Sequence, residues 1–350
     1  MYKIPIIDHY INMKTILKNK YIILIPILIL NIISLIYLYN TEHFSKHLLY
    51  LILSYICLFI CTKINIKFIT KYIKYIYILS IILLTLVLFI GKEINGSKAW
   101  FRIFGLSFQP SELTKIVLII YIAHLTIKKK KLYYLIIITL IPSILTFLEP
   151  DTGAIIIYLI IFLSSLKYLK LNKKTLYISI SILLIFLISN ISIYFYNKDL
   201  LIKIYGTTIF YRLDRLISFK NQNNIQTINS LISIGSHKLI YIPENHNDFI
   251  FAAIISKYHW SFPLIIICYI SIFFFYLKNI TKRKNISNII NFIILNMLLF
   301  QIFYNIFMNL SLLPIIGIPL PFLSYGGSYL ITLYTLIGLS INTINNSKVV

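Results

Sequence analysis

Apolar segments long enough to cross a membrane recur along the whole of this 350-residue chain. A helix needs roughly 20 consecutive apolar residues to span a hydrocarbon core about 30 Å thick. Hydrophobic residues make up 59% of the sequence, whereas a soluble domain has about half. Since no polar linker divides these segments, the sequence predicts an all-α, polytopic membrane protein with a single transmembrane domain, residues 1–350.

The apolar runs predict ten membrane-spanning helices with approximate bounds. These are 21–39, 48–62, 72–91, 112–127, 132–148, 154–169, 175–196, 249–277, 287–313 and 324–345. The segment 197–248 is predicted to be a large extracytoplasmic loop.

The charged residues predict the orientation of the chain. Of the 33 Lys and Arg residues, 21 lie in one alternating set of loops and tails and 10 in the other. Short loops rich in Lys and Arg stay in the cytoplasm, so both termini are predicted to be cytoplasmic. Topology then accounts for the net charge of +23, which in a soluble protein would suggest a nucleic-acid partner. No nucleic-acid partner is expected.

The three cysteines predict neither a disulfide nor a metal site. Cys57, Cys61 and Cys268 all lie in apolar runs, where a thiol behaves as a small hydrophobic group. No His or acid joins Cys57 and Cys61 on their shared helix face. The N-terminus lacks a small-residue cleavage site, so no removable signal peptide is expected.

The stretch 243–251, PENHNDFIF, places two carboxylates and a histidine where a polar loop meets an apolar run. A carboxylate at mid-bilayer depth costs roughly 2.5–3.5 kcal/mol. At the membrane rim it costs less and faces both water and a lipid-borne substrate. We interpret Asp248 as the working group of an enzyme that acts on a lipid. The alternative is that Asp248 only caps a helix, and His246 is expected to be a surface histidine.

A second outer segment runs from Gly96 to Lys115 and combines cations with a predicted helix start at Ser111 and Glu112. Glu112 and Lys115 are three residues apart and so share a helix face. An ion pair there is either functional or a structural pin for the helix.

The same segment carries side chains suited to a phosphorylated lipid. Lys98 and Arg102 would suit a diphosphate. Trp100, taken alone, is also typical of the aromatic belt at a membrane interface.

Three further segments are unusual in composition. Glu149 and Asp151 flank Pro150 in a predicted tight turn. In the loop 197–248, an amphipathic piece with Arg212 and Arg215 is predicted to lie along the membrane surface. Three prolines within 314–321 exclude a regular helix, and such backbone is tolerated only against protein or a wet cavity. We therefore predict that 313–328 forms the re-entrant wall of a cavity.

Four motifs occur in order along the chain: G-x-x-x-W with FQPSE-x-x-K (96–115), EPD-x-G (149–153), PE-x-H-x-DFIFA (243–252) and GIPLPF-x-SYGGS (317–328). Through these motifs and the ten spans, the chain resembles the SEDS family (shape, elongation, division and sporulation). The GIPLPF and FQPSE forms favour its rod-shape-determining branch, RodA, over its division branch, FtsW.

That resemblance implies a peptidoglycan glycosyltransferase of the bacterial cytoplasmic (inner) membrane. It would polymerise lipid II into β-1,4 glycan strands on the outer face, for cell elongation and rod shape. The family's aspartate falls on Asp248, its tryptophan on Trp100 and its lysine on Lys115. Other motif positions match Glu112, Glu149, Asp151 and Glu244. Candidate cations for the leaving diphosphate are Lys98, Arg102, Lys115, Arg212 and Arg215.

The chain departs from the family pattern at three places. Ala99 stands where an Arg usually precedes the tryptophan, with Lys98 one residue earlier. The glycine-rich segment before PE-x-H-x-DF is reduced to 234–238, and Ser256 and Lys257 replace two acids. These departures bear on donor binding and loop closure.

The family also implies partners: lipid II, undecaprenyl-diphosphate-linked glycan, and a class B penicillin-binding protein supplying transpeptidase activity. A divalent cation, Mg²⁺ or Mn²⁺, would come with the diphosphate, since the sequence shows no dedicated metal cage. Alternative functions are an FtsW-like division polymerase, a lipid flippase or transporter, and a catalytically weakened scaffold of the wall-synthesis complex.

Overall fold

Helices account for most of the regular structure, in agreement with the predicted class. The computed structural model describes residues 5–94, 97–103, 105–169, 192, 197–207, 225–238, 240–281 and 284–348. The helices are α1 (Pro5–Leu38), α2 (Phe44–Lys63), α3 (Ile66–Ile90), α4 (Pro110–Ile127), α5 (Leu132–Leu148), α6 (Thr152–Leu166), α7 (Lys198–Tyr205), α8 (Ile225–Ser236), α9 (Ile250–Lys257), α10 (Ser261–Asn279), α11 (Ile286–Asn309) and α12 (Gly327–Lys348).

Six of these helices are long and apolar enough to cross a membrane: α2, α3, α4, α10, α11 and the Gly327–Ile344 part of α12. The apolar stretches Ile22–Leu38, α5 and α6 are shorter. The predicted span 175–196 falls almost entirely outside the described residues. The total of ten spans and the cytoplasmic position of both termini therefore stay predictions.

The predicted span 249–277 is wrong as a single helix, because the structure divides it into α9 and α10. Pro263 lies in the first turn of α10. Backbone N–H groups in the first turn have no partner within the helix, so a proline there costs no helical hydrogen bond. Lys257 ends α9 and is exposed, with its Nζ 6.0 Å from the ring centroid of Tyr37. Both halves are apolar, so hydropathy alone does not show the break.

A small antiparallel sheet in the segment 92–108 is a feature that the all-α prediction missed. Its strands, in the order β1-β2-β3, are β1 (Lys92–Ile94), β2 (Ser97–Ile103) and β3 (Leu106–Phe108). Lys92 pairs with Trp100, and Phe101 pairs with Phe108. The strands are three to seven residues long, too short for a clear alternation in the sequence. Their pairing satisfies backbone groups in this connection.

The most extensive packing between described elements joins α2 and α12. A methyl group added at Gly338 would lie 2.5 Å from the Leu58 carbonyl oxygen and 2.8 Å from Cys61 Cβ. One added at Gly327 would lie 2.3 Å from the Tyr50 ring. Small residues allow helix backbones to approach this closely inside a membrane. Gly327 thus allows α12 to lie directly against the Tyr50 ring of α2.

Buried amides also join α12 to its neighbours. The Asn342 Nδ2 donates to the carbonyl oxygens of Cys61 and Ile64, at 2.8 and 2.6 Å. The Asn31 Nδ2 donates to the hydroxyls of Tyr55, at 2.8 Å, and Tyr334, at 2.5 Å. These bonds tie α1, α2 and α12 together with polar groups that lipid could not satisfy.

We expect Gly338→Ala to destabilise the protein, because the new methyl has no room between α12 and α2. Overpacking of this kind typically costs about 1–3 kcal/mol, which should lower the apparent melting temperature in detergent. The matched control is Gly235→Ala in α8, where nothing lies within 4 Å of the added methyl. That change should leave stability equal or slightly higher, since Ala favours a helix by roughly 0.5–1 kcal/mol over Gly. Equal melting temperatures for the two variants would contradict the close α2–α12 contact.

Candidate functional site

Three segments meet around Asp248 at one end of the helices, here called the site end. A methyl added at Gly317 would lie 3.6 Å from Asp248 Oδ2, and one added at Gly153 would lie 3.0 Å from the Gly317 carbonyl oxygen. Gly317 has a φ of +77°, a conformation that glycine adopts without strain. The irregular stretch 310–326 therefore runs between the Asp248 loop and the turn that contains Asp151.

This irregular stretch confirms that the proline-rich motif is not helical. Its carbonyl groups are bonded by tyrosine hydroxyls from three different helices. Tyr269 of α10 donates to Pro321 at 2.6 Å, Tyr304 of α11 to Pro314 at 2.8 Å, and Tyr329 of α12 to Pro319 at 3.0 Å. Irregular backbone at membrane depth persists only where protein satisfies it, and these tyrosines do so.

The backbone of Asp248 is held by two asparagines of α11. The amides of Asn305 and Asn309 donate to the Asp248 carbonyl oxygen at 2.8 and 3.0 Å. The Asn309 Oδ1 also accepts from the Ala252 amide at 3.1 Å. Asn309 thus caps the N-terminus of α9 from another helix, while the N-cap residue itself, Phe249, makes no side-chain cap. The alternative reading of Asp248 as a helix cap is wrong.

The Asp248 carboxylate is half-buried and accepts no hydrogen bond from any residue that the structure describes. Burial, reinforced by the negative charges of Glu244 and Asp151, raises its pKa to about 7. A carboxylate with this pKa is partly ionised at neutral pH and suits proton transfer.

Glu244 organises the loop that carries Asp248. Its φ is +57°, and its carbonyl oxygen accepts from the amides of Asn247 and Phe249 at 3.0 and 3.3 Å. The Glu244 Oε2 accepts from Asn247 Nδ2 at 2.7 Å. The loop is therefore closed on itself just before Asp248.

The same loop is fastened to the SYGGS motif. The Ser324 hydroxyl donates to the Asn247 carbonyl oxygen at 2.8 Å, and the Tyr325 amide donates to the His246 carbonyl oxygen at 2.9 Å. Two of the four motifs are therefore in direct contact.

His246 is a correction to the expected surface histidine. It is half-buried, and its ring stacks on His43 with centroids 4.0 Å apart. Burial, with a contribution from His43, lowers its pKa, although the Glu244 carboxylate lies 3.8 Å from its Nε2. His43 lies in the α1–α2 connection, so the stack joins that connection to the Asp248 loop.

Asp151 is fully engaged by its neighbours. Its Oδ1 accepts from the Ala154 amide at 3.0 Å and so caps α6. Its Oδ2 accepts from Gln109 Nε2 at 2.7 Å and from the Ser111 hydroxyl at 3.2 Å. The predicted turn role is confirmed, and Asp151 also links the EPD-x-G motif to the FQPSE motif.

Glu149 is buried just beyond the end of α5, and its carboxyl group has no hydrogen-bond partner among the described residues. Burial, assisted by the charge of Asp151, raises its pKa to about 9, so this group is neutral at pH 7. Its carbonyl oxygen accepts from the Ser97 hydroxyl at 2.5 Å, which anchors β2 to the turn.

Glu112 and Lys115 form the predicted ion pair, with the Lys115 Nζ 2.6 Å from the Glu112 Oε1. Both side chains are buried in α4. The helix begins one residue earlier than predicted, at Pro110, and its N-cap is Gln109. Lys115 is therefore compensated inside the protein.

The other predicted cations fall into two groups. Lys98, Trp100 and Arg102 alternate along β2 and so project from one face of that strand. Lys98 and Arg102 are exposed and Trp100 is half-buried. The Lys98 Nζ donates to the Phe89 carbonyl oxygen at 2.9 Å. No contact among the described residues joins these side chains to Asp248. Arg212 and Arg215 lie outside the described residues.

The sequence matches a known protein family over almost its whole length. Residues 13–349 match the FTSW_RODA_SPOVE family, described as cell cycle protein. The chain belongs to this family, here called SEDS. It is accordingly a multi-pass protein of the cytoplasmic membrane.

Two relatives bear the name probable peptidoglycan glycosyltransferase FtsW. The protein from Wigglesworthia glossinidia brevipalpis is 30% identical over 335 residues, covering 85% of this chain and 83% of the relative. The protein from Buchnera aphidicola subsp. Baizongia pistaciae is 32% identical over 323 residues, covering 82% and 80%.

Two solved structures share the fold. A chain from a peptidoglycan synthase complex has a TM-score of 0.76 at 20% identity, covering 93% of this chain and 97% of that one. The rod shape determining protein RodA of Thermus thermophilus has a TM-score of 0.66 at 21% identity, covering 93% and 96%.

We expect Asn309→Ala to destabilise the site, because it removes a donor to the Asp248 carbonyl and the acceptor for the Ala252 amide. A buried polar group left without a partner costs about 1–3 kcal/mol, so the apparent melting temperature should fall. The control is Asn296→Ala on the same helix, where a half-buried amide makes one bond of 3.1 Å to the Ser164 hydroxyl. If both variants unfold like the wild type, Asn309 does not hold the loop.

Proposed function

We propose that this chain polymerises lipid II into β-1,4 glycan strands with Asp248 as its general base. The observation that carries the proposal is the Asp248 carboxylate itself, which has no hydrogen bond from a described residue and a pKa raised to about 7. Its backbone is fixed, so its side chain is available for a substrate. The family membership and the names of the relatives support the class of reaction.

The proposed step transfers a growing glycan to the next lipid II. Asp248 takes the proton from the 4-hydroxyl of the acceptor N-acetylglucosamine. The hydroxyl oxygen bonds to the anomeric carbon of the donor N-acetylmuramic acid, and the bond from that carbon to the diphosphate breaks. Undecaprenyl diphosphate leaves with the bonding electrons, and the α linkage becomes β. A positioned base typically contributes about 10²–10⁴-fold.

The leaving diphosphate needs positive charge nearby. Lys98 and Arg102 are the candidates that the structure supports, because both side chains are exposed on β2 and so accessible to a diphosphate. The charge of Lys115 is already balanced by Glu112, so we assign this pair to positioning α4. Arg212 and Arg215 remain candidates from the sequence alone.

Any divalent cation, Mg²⁺ or Mn²⁺, is proposed to be carried by the diphosphate. Within the described ranges, no group of three His, Cys, Asp or Glu is placed to hold a metal ion. No step above is routed through a metal.

The cellular role has two candidates, each favoured by one observation. The GIPLPF and FQPSE forms favour elongation and rod shape, whereas the relatives are named FtsW and favour division. The proposed transpeptidase partner is a class B penicillin-binding protein, supported by the fold shared with a chain of a peptidoglycan synthase complex. The ten spans and the outer position of the site end are part of this proposal.

Asp248→Asn should abolish polymerisation, since the amide keeps the shape of the side chain but cannot take a proton. Glycan formation from labelled lipid II would be measured with the purified protein and its cognate partner, and a loss of about 10²–10⁴-fold is expected. The control is Asp199→Asn in α7, another acid outside the predicted spans, whose side chain is exposed.

Equal polymer from Asp248→Asn and wild type would remove Asp248 from the chemistry and direct attention to Glu149 and Asp151. No polymer from the folded wild type bound to its partner would favour the scaffold. Lipid transport across sealed vesicles without polymer would favour the flippase.

Polymerisation should also increase with pH through about 7, because a general base must be deprotonated. The charge of Glu244 raises the pKa of Asp248, so Glu244→Gln should move this rise in kcat/KM to lower pH. Glutamine keeps an oxygen that accepts from Asn247 Nδ2. The control is Glu93→Gln on β1, where the acid is exposed. A rise that does not move in Glu244→Gln would argue against Asp248 as the titrating base.

A further inference from the structure

The helix α8 has an inverted distribution of polarity. Its sequence, IQTINSLISIGS, contains no charged residue. The side chains buried against the protein are small and polar: Thr227, Ser230 and Ser233. The side chains exposed on the opposite side are large and aliphatic: Ile225 (71%), Ile228 (37%), Leu231 (42%) and Ile232 (46%). A helix on a water-facing surface has the reverse arrangement.

Specific hydrogen bonds fix this orientation. The Ser230 hydroxyl donates to the Asn309 carbonyl oxygen at 2.7 Å, and the Ser233 hydroxyl accepts from the Ile240 amide at 3.0 Å. The Asn229 Nδ2 donates to the Tyr241 carbonyl oxygen at 2.8 Å. Rotating α8 to bury its aliphatic side would break all three bonds.

The exposed aliphatic side of α8 continues a membrane-facing surface. The Ser230 bond places α8 at the site end of α11, a helix long and apolar enough to span. The same end of α11 and the turn after it expose Phe303, Phe307 and Leu312. Water is an unfavourable neighbour for so much apolar surface at one end of the molecule. A membrane-spanning α11 would already place its exposed side chains among lipid acyl chains.

We propose that α8 is embedded in the membrane leaflet at the site end, with Ile225, Ile228, Leu231 and Ile232 among the acyl chains of the phospholipids. The predicted loop 197–248 is then not wholly aqueous. Because α8 carries no charge, this contact depends on apolar surface and not on anionic headgroups.

Asn309 links the embedded helix to Asp248. The Asn309 carbonyl accepts from Ser230, and its side-chain amide donates to the Asp248 carbonyl. The proposed contact with lipid would therefore lie close to the Asp248 loop. This inference rests on polarity and packing and stands independently of the proposed glycosyltransferase activity.

Spin labels on single cysteines test the contact. Leu231→Cys and Ile232→Cys would be made in the full chain with Cys57, Cys61 and Cys268 replaced by Ala, which keeps each Cβ. The protein would be reconstituted into phosphatidylethanolamine–phosphatidylglycerol vesicles, and collision rates measured with oxygen and with a water-soluble nickel chelate. The references are Ile52→Cys, exposed on the spanning helix α2, and Lys238→Cys, exposed just after α8.

Labels at 231 and 232 should resemble the label at 52, with nickel collisions several-fold fewer than at 238 and oxygen collisions several-fold more. Nickel collisions equal to those at 238 would place α8 in water and overturn the proposal. Low collision rates with both reagents would place α8 under protein, either a partner or another part of this chain, and would overturn it equally.

A second measurement leaves the native cysteines in place. A benzophenone amino acid at position 232 should form adducts with phospholipid on illumination, several-fold more than the same probe at position 238, as detected by mass spectrometry. Adducts with protein alone, or equal lipid adducts at both positions, would refute the contact with acyl chains.

Discussion

The backbone polar groups of one irregular stretch, which have no helical partners, impose the constraint on which the rest of the site depends. The stretch 310–326 cannot form a helix because of its prolines, and lipid offers its carbonyl groups no donors. The protein supplies the donors from side chains of three helices, through Tyr269, Tyr304 and Tyr329. The packing of α10, α11 and α12 is therefore a condition for this irregular stretch, and the stretch in turn positions Gly317 beside Asp248.

The acids at the site end differ in the hydrogen bonds that their carboxyl groups accept. Asp151 accepts three hydrogen bonds, from Gln109, Ser111 and the Ala154 amide. Glu149, two residues earlier, is buried without a hydrogen-bond partner among the described residues, and its pKa is raised to about 9. Asp248 also accepts no hydrogen bond from a described residue, and its pKa is raised to about 7. The two carboxyl groups without a hydrogen-bond partner among the described residues are thus the two whose pKa values are raised.

The sequence predicted what depends on composition and local spacing. Hydropathy located the long helices, and the three-residue spacing predicted the Glu112–Lys115 pair. The prolines predicted that the backbone of 310–326 is irregular. It did not predict the division at Lys257, because both flanking segments are apolar. It also missed Asn309 as a partner of Asp248 and the stacking of His43 on His246, since both contacts join residues far apart in the chain. Asparagines four residues apart in an apolar helix, at 305 and 309, were the available indication.

The manner in which Asp248 is held has a practical consequence. The protein grips this residue by its main-chain carbonyl, through Asn305 and Asn309, and leaves the carboxylate unbonded by the residues described. The backbone geometry at position 248 is thus set by these two amides and not by the carboxylate. A variant lacking the carboxylate would keep the same backbone around position 248, and would be suited to capturing an intact lipid-linked sugar for direct visualisation.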